Sequence, residues 1–336
     1  MTTFPFNNRP GKYPFSVAPM MDWTDRHFRF FMRLISKRAL LYTEMIPVGA
    51  IVRSDPARFI SYSPEEHPLV LQVGGDNPES LAECSRIAAD FGYDEINLNC
   101  GCPSEKVRSG RFGACLMEDP SHVARCMEKM REGGIPVSIK HRISLGGIDS
   151  YESLRKFVTT VKEGGCEKFI VHARSAILGG LSAKENRTIP PLRYDYVYRL
   201  KEEFPDLIIE INGGIRTMEE LIIHLSRTDG VMVGRAAYEN PFEFSAADDL
   251  FSPAEARRET VFSRVEIVEQ MIPYIEEVLR NGGRMHSVTR HMFGLFSGLP
   301  GASHYRRTLS TDASRIASPR VLFERAMERM GETAAV

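Results

Sequence analysis

The chain is poor in the features that assign a protein quickly. It holds six cysteines in 336 residues, too few for the disulfide framework of a small secreted domain. No apolar run reaches the roughly 18 residues that a membrane-spanning helix needs, so no membrane association is expected. The N-terminal stretch MTTFPFNNRPGKYPF lacks the charged, apolar and small-residue succession of a secretory signal, and the expected location is the cytoplasm. There is no GxGxxG fingerprint and no Walker loop, which argues against a Rossmann dinucleotide site and against a nucleotide hydrolase. Zinc spacing is missing too: Cys100-Gly-Cys102 is tighter than zinc prefers and no second cysteine pair follows. No metal is therefore expected.

Charge of one sign is scarce in one place only. The chain is 26% charged and 43% hydrophobic with a net charge of −1, an ordinary globular composition. Residues 280–329, however, hold nine arginines, no lysine and three acids, a charge of +6 against −6 for residues 1–279. A neutral chain with one basic end suggests a polyanionic partner for that end. A solvated helical face is the bland alternative, but it normally mixes signs and uses lysine.

What is present is a rhythm. Eight short β-rich runs recur at 15–20, 40–46, 69–74, 95–100, 136–143, 168–174, 207–214 and 230–238. Most carry consecutive apolar residues (LVLQV, FIVHA, LIIEI, GVMVG), as parallel strands covered on both faces do. Helical patterns intervene, for example at 78–91 and 120–131, where Cys84 and Cys126 fall as small core residues and Gly92 and Gly133-Gly134 act as stops. Eight alternations match the size of a (β/α)₈ TIM barrel; a doubly wound open sheet is the rival. After Tyr238 the strand signal ends, residues 239–253 read as a closing helix and linker, and helical periodicity runs over 254–280, 285–297 and 319–330. The expectation is an α/β barrel over 1–249 followed by a smaller all-α domain over 250–336. The loop at 175–193 is unusually long, and such loops tend to be functional or disordered.

A barrel of this kind carries its active site at the C-terminal ends of its strands. Those ends read Pro19-Met20-Met21-Asp22, Gln72, Asn99-Cys100-Gly101-Cys102, Lys140-His141-Arg142, His172-Ala173-Arg174, Asn212-Gly213-Gly214 and Gly234-Arg235. Each has a structural explanation alone; together they place polar groups where apolar strands end. The glycines after the seventh and eighth runs lie where barrels build phosphate sites, with bare N–H groups for the anion and Arg235 to add charge-assisted hydrogen bonds. A lysine on a buried strand needs a negative partner: either the anionic edge of a reduced flavin or a carboxylate at the mouth. A lone thiol there suits acid chemistry.

These residues also carry a resemblance. APMMDWTDRHFR (18–29), LNCGCPSEKVRSGRFGACLM (98–117), VHAR (171–174), GLSAKENRTIPPL (180–192), INGGI (211–215), VGRAAY (233–238) and GLPGASHYRRTLS (298–310) resemble the tRNA-dihydrouridine synthases over about residues 14–312. The KENR-x-IPPL loop looks like that of the bacterial A type, which modifies uridines 20 and 20a of the D-loop. The resemblance implies FMN, NADPH as electron donor and tRNA as partner; no protein partner is implied. It assigns the proton donor to Cys102 and not to Cys115. It assigns FMN contacts to Pro19, Met20, Met21, Gln72, Lys140, His172, Asn212, Gly213, Gly214, Gly234 and Arg235. It assigns tRNA contacts to Asn99, Lys184, Arg187, Arg306 and Arg307. Two positions depart from the pattern: Cys100, an extra thiol expected to compete with Cys102 in labelling, and His141.

The chemistry agrees with the assignment. Hydride delivery to uracil C6 pushes charge onto C5 and the C4 carbonyl, and an acid must then protonate C5. A thiol with a pKa of about 8.5 suits that task, whereas a serine hydroxyl is far too weak an acid. The base must be flipped out of the folded RNA to reach the mouth. Two rivals remain: an FMN barrel reducing a small molecule, as dihydroorotate dehydrogenases do, and an RNA-binding protein whose flavin site has no catalytic role.

Overall fold

The computed structural model describes residues 13–105, 107, 110–148, 150–251 and 262–330. The parts of the expected linker and helix at 252–261, and both ends of the expected domains, lie outside the described residues.

Nine strands form one sheet: β1 (Phe15–Val17), β2 (Leu41–Tyr42), β3 (Ile46–Pro47), β4 (Leu69–Gly74), β5 (Glu95–Cys100), β6 (Val137–Arg142), β7 (Lys168–His172), β8 (Ile208–Asn212) and β9 (Gly230–Val233). Their order is β1-β9-β8-β7-β6-β5-β4-β2, with β3 also on β4, and every pairing is parallel. A parallel bridge between Ser16 and Leu40 brings the two ends together. There Val17 N–H donates to Leu40 O at 3.0 Å and Leu40 N–H to Phe15 O at 3.1 Å. The eight expected runs thus make the eight positions of a TIM barrel.

The second run differs from expectation, because it is two short strands. Thr43 accounts for the break: its Oγ1 accepts Gln72 N–H at 3.0 Å, taking a ladder donor that a backbone carbonyl would otherwise receive. The last run is shorter than expected. Beyond Val233 the chain turns at Gly234 into the short helix Arg235–Glu239, followed by 3₁₀ turns over Pro241–Leu250. The helices Pro78–Asp90 and Pro120–Arg131 fall where predicted. Asn77 and Asp119 side chains cap them, and each has proline in its first turn, where no N–H is needed.

Two apolar clusters divide the molecule. A small one (Ala18, Leu40, Tyr42, Val70, Ile170, Met232) fills the barrel, and a large one lies between strands and helices. Strand alternation then sends Gln72, Asn97, Asn99, Lys140, His172, Glu210 and Asn212 inward with the small cluster, and Leu98 and Cys100 outward into the large one. Below the mouth, the interior is charged. Lys168 Nζ lies 3.0 Å from Glu95 and 3.9 Å from Glu210, and Ser138 and Ser16 hydroxyls donate to the two carboxylates. Burial of these ions is tolerated because each has a partner.

Beyond the barrel, no strand occurs among the described residues. The helix Arg264–Arg280 begins with a Ser263/Glu266 capping box, and Met285–Thr289, Ala302–Asp312 and Pro319–Met327 follow. The expected helix at 285–297 stops early, with a 3₁₀ turn at Arg290–Met292 and turns after it. Gly294 packs so closely that a Cβ there would lie 2.5 Å from Glu239 O. The helix Ala302–Asp312 was not anticipated: it buries only Tyr305, Thr308 and Leu309 on an otherwise polar segment. Ile267, Met271, Ile275, Val288 and Phe296 belong to the same cluster as Phe28 and Phe31 of the barrel helix Arg26–Ile35. The helical region therefore shares the barrel's outer core. No described helix is long and apolar enough to cross a membrane.

Candidate active site

The mouth of the barrel is a hydrogen-bonded frame with a few groups left over. Gln72 Nε2 donates to Asn97 Oδ1 at 2.8 Å, and Gln72 Oε1 accepts from Asn99 Nδ2 at 2.8 Å. Asn99 Oδ1 accepts the N–H groups of Gly101 and Cys102 at 3.1 and 3.0 Å. Strand β4, strand β5 and the loop carrying Cys102 are thus locked together through one amide. Asn99, expected to touch RNA, has its carbonyl half fully committed to bracing that loop.

Cys102 is half-buried, and its thiol lies 3.5 Å from Ser104 Oγ. Lys140 and Arg142 of β6 and Arg187 of the loop after β7 all lie close enough to interact with it, so the loop sits among three basic side chains from two segments. The other two cysteines of the stretch have different settings. Cys115 donates to Phe112 O at 3.2 Å. Cys100 is fully buried on the outward face of β5, and burial pushes its thiol well above the ordinary range. The expectation that Cys100 competes for labelling reagents is corrected: strand alternation turns it away from the mouth.

Among the described residues Lys140 hydrogen-bonds to no carboxylate or other anion; its ammonium donates to Asn212 Oδ1 at 3.0 Å. Burial, reinforced by nearby Arg142, lowers its pKa to about 7. Asn212 is oriented in turn by Nδ2 donating to Met232 O at 2.8 Å. His172, beside it on β7, is held well below its ordinary pKa by burial and by the surrounding arginines and Lys140, so its ring is neutral. Its Nδ1 is buried and has no hydrogen-bond partner among the described residues. A lysine without an anion and a histidine nitrogen without a partner are unspent capacity at one place.

The two glycines after β8 have φ of 115° and 79°, left-handed values that exclude most side chains. Space is tight as well: a Cβ on Gly213 would lie 3.1 Å from His172 Nε2, and one on Gly214 2.6 Å from Leu192. Tyr194 OH donates to Gly213 O at 2.6 Å and holds the turn. Gly234 and Arg235 follow β9 at the same rim, with Arg235 half-buried. Pro19 and Met20 are half-buried and Met21 is 58% exposed, on a turn closed by Trp23 and Thr24 N–H groups onto Met20 O.

The long loop after β7 is ordered over the mouth. Asn186, fully buried, exchanges hydrogen bonds with Ile177 (2.8 and 3.0 Å) and donates to Leu181 and Ser182 carbonyls. Three rim arginines hold its backbone: Arg142 on Asn186 O at 2.9 Å, Arg174 on Pro190 O, and Arg235 on Arg187 O at 3.4 Å. Arg142 also donates to Gly101 O at 3.1 Å, joining this loop to the Cys102 loop. Sequence reasoning named Arg142 and Arg174 only as polar strand ends and did not see Asn186. The clue was present in three arginines beside a loop too long to be idle. Lys184 and Arg187 project from the same loop and are exposed.

Arg306 and Arg307 are elsewhere, exposed on the helix Ala302–Asp312 and without an ion-pair partner among the described residues. Three other arginines of the basic end are spent internally: Arg290 on Asp25, Arg320 on Glu269 and Arg325 on Asp312.

The profile of the family Dihydrouridine synthase (Dus) matches residues 16–329. The chain belongs to the dihydrouridine synthase family. It is 56% identical over 307 residues to a tRNA-dihydrouridine(20/20a) synthase of Synechocystis, covering 91% of this chain and 90% of that one. With the protein of the same name from Pseudomonas putida the identity is 52% over 315 residues, covering 94% and 93%. Among solved structures, the old yellow enzyme homologue from Zymomonas mobilis aligns with a TM-score of 0.50 at 10% identity, covering 74% of this chain and 93% of that one. At that identity the likeness concerns the barrel alone. Within this dihydrouridine synthase, the resemblance drawn from the sequence motifs and the family membership agree.

Proposed function

We propose that the chain reduces the C5=C6 bond of uridine in the D-loop of tRNA, at positions 20 and 20a as its relatives' names state, using FMN re-reduced by NADPH. The carrying observation is the single mouth that holds Cys102 on an Asn99-braced loop beside unpaired capacity on Lys140 and His172. The residues present fit the cofactor. Gly213 and Gly214, which a side chain would fill, together with Gly234 and Arg235, would take its phosphate, while Lys140, His172, Gln72, Asn212 and the 19–21 turn would frame its ring.

When bound, FMN would supply the hydride for uracil C6, with NADPH as the source of its electrons. Cys102 donates the proton to C5 from its thiol, and the Asn99 brace fixes the thiol's approach. Lys184 and Arg187 close over the flipped base from the loop that Asn186 pins down. Residues 1–249 would then be the catalytic barrel and 250–336 the tRNA-binding domain, with Arg306 and Arg307 on the phosphate backbone. A cytoplasmic location follows from this substrate.

The decisive experiment compares tRNA and free uridine as substrates with NADPH. Dihydrouridine in tRNA at 20 or 20a is the expected product, with free uridine poor because it offers no remote contacts to hold the base. A purified protein that binds no FMN, or that turns over free uridine as well as tRNA, overturns the reading.

A further inference from the structure

One hub outside the mouth ties three distant segments together. Asp25 caps the helix Arg26–Ile35 with Oδ1, accepting His27 and Phe28 N–H groups at 2.9 and 3.1 Å. Its other oxygen does work that a cap does not require. Oδ2 accepts from Arg290 Nη2 at 2.6 Å and from His291 Nε2 at 3.0 Å, 265 and 266 residues away. His291 is buried in the helical region. Burial keeps its ring below the ordinary pKa, although Asp25 pulls the other way, so the ring is neutral. With Nε2–H committed to Asp25, Nδ1 accepts from Tyr238 OH at 3.1 Å.

Tyr238 belongs to the helix Arg235–Glu239 that begins at the proposed phosphate contact. Its ring stacks on Trp23 with centroids 4.3 Å apart at 16°. Trp23 and Thr24 in turn close the 19–24 turn onto Met20 O at 3.1 and 3.0 Å. The hydrogen bonds run from Tyr238 through His291 to Asp25, and the stack returns to the residue two before Asp25. The loop after β1, the helix after β9 and residues 290–291 of the helical region therefore form one closed circuit.

We propose that Asp25 is a positioning residue for uridine reduction: it locks the arginine-bearing helical region to the barrel mouth at one angle, and so sets which uridine of a docked tRNA reaches Cys102. This rests on the proposed tRNA chemistry. The physical argument is one of lever arms. The exposed arginines of the helical region would hold tRNA phosphates while the reacting base enters the barrel, so a rotation between the two is amplified at the mouth, displacing the base by about 1 Å when small and admitting a neighbouring nucleotide when larger. An apolar contact between helices permits sliding; a charged acceptor facing two fixed donors does not, since each loses its partner at once. Arg290 is thereby withdrawn from the phosphate-binding set.

Asp25→Ser separates positioning from capping, because serine caps a helix as well as aspartate does but cannot span to both Arg290 and His291. The variant is expected to keep its FMN content, its NADPH oxidation without tRNA and its tRNA affinity. Turnover on tRNA should fall on the order of 10- to 100-fold, the scale of a displacement near 1 Å at a reacting centre. Sequencing of the product should find dihydrouridine spread to neighbouring uridines. Unchanged turnover with an unchanged product position overturns the proposal. So does a general loss of FMN and thermal stability with normal activity per bound flavin, which is the signature of a structural role. Amide hydrogen exchange supplies an arm that does not depend on turnover: Asp25→Ser should accelerate exchange in residues 19–24 and 285–292 together. Acceleration in only one of them breaks the circuit argument. If the wild-type protein forms no dihydrouridine, the functional reading falls, and the exchange arm still decides whether the latch exists.

Discussion

At the scale of single residues, the site works by leaving particular groups unsatisfied and satisfying everything around them. Gln72, Asn99 and Asn212 are each hydrogen-bonded so as to orient a neighbour, while Lys140 and His172 are half-buried, the one without an anion and the other with an unpartnered ring nitrogen among the described residues. Lys140 makes the consequence measurable. Its folded-state value lies near 7, against about 10.4 in an unfolded chain. The fold favours its neutral form, so this group's contribution to stability is fully present above that unfolded value and is lost as pH falls through 7. If a flavin binds there as proposed, its reduction would place negative charge beside Lys140 and favour the ammonium, so that reduction would take up a proton at this residue. The flavin midpoint potential should therefore fall more steeply with pH between about 7 and 10 in the wild type than in Lys140→Met; equal slopes would remove Lys140 from the ring's edge. The thiols give a second prediction. Cys102→Ala should abolish dihydrouridine formation while FMN remains bound and reducible by NADPH, and Cys115→Ala should do much less. Cys100 should resist alkylation in the native protein, because it is buried in the outer core. Mass mapping of alkylated peptides checks this directly.

At the scale of elements, the loop at 175–193 is the part whose order has to be explained. It has only one turn of 3₁₀ helix, Glu185–Arg187, and it stays in place because Asn186 replaces a local sheet with side-chain hydrogen bonds. Asn186→Ala should leave Ile177 N–H and two or three carbonyls unsatisfied, at a cost of about 1–3 kcal/mol confined to the loop. The expected result is rapid proteolysis near residue 180 and a raised KM for tRNA, with NADPH oxidation unchanged. A KM for tRNA equal to wild type would show that the loop does not meet the RNA. The helix Ala302–Asp312 poses the opposite case, an element with regular backbone and little apolar content. It is stable because Tyr305 and Leu309 reach the shared core, which frees its other face for arginines.

At the scale of the whole molecule, charge is separated across a continuous core. The barrel segment is net acidic, so affinity for a polyanion has to come from the helical end and the long loop. Arg306 and Arg307 are exposed there without ion-pair partners among the described residues, whereas Arg290, Arg320 and Arg325 are paired. Arg306→Ala/Arg307→Ala should weaken tRNA binding and flatten its dependence on salt, because each phosphate contact releases condensed counterions. Arg320→Ala, which removes a paired charge, should change the salt slope less. Binding titrations at several salt concentrations test both, and identical slopes for the double variant and the wild type would return these arginines to an idle solvated face.

Much of this was legible in the chain alone. Eight apolar runs at barrel spacing predicted the eight strand positions, since parallel strands buried on both faces leave that pattern. Polar residues at the ends of those runs marked the mouth, and Gly213-Gly214 marked a turn that only glycine fits. Contacts between residues far apart in sequence were not legible. The outward turn of Cys100, the split at Thr43, the Asn186 latch and the use of Arg290 by Asp25 each depend on a partner between 9 and 265 residues away, or on which face of a strand is buried. Periodicity records which residues leave water. It does not record which polar group each buried polar group meets, and in this molecule those meetings decide what the site can hold.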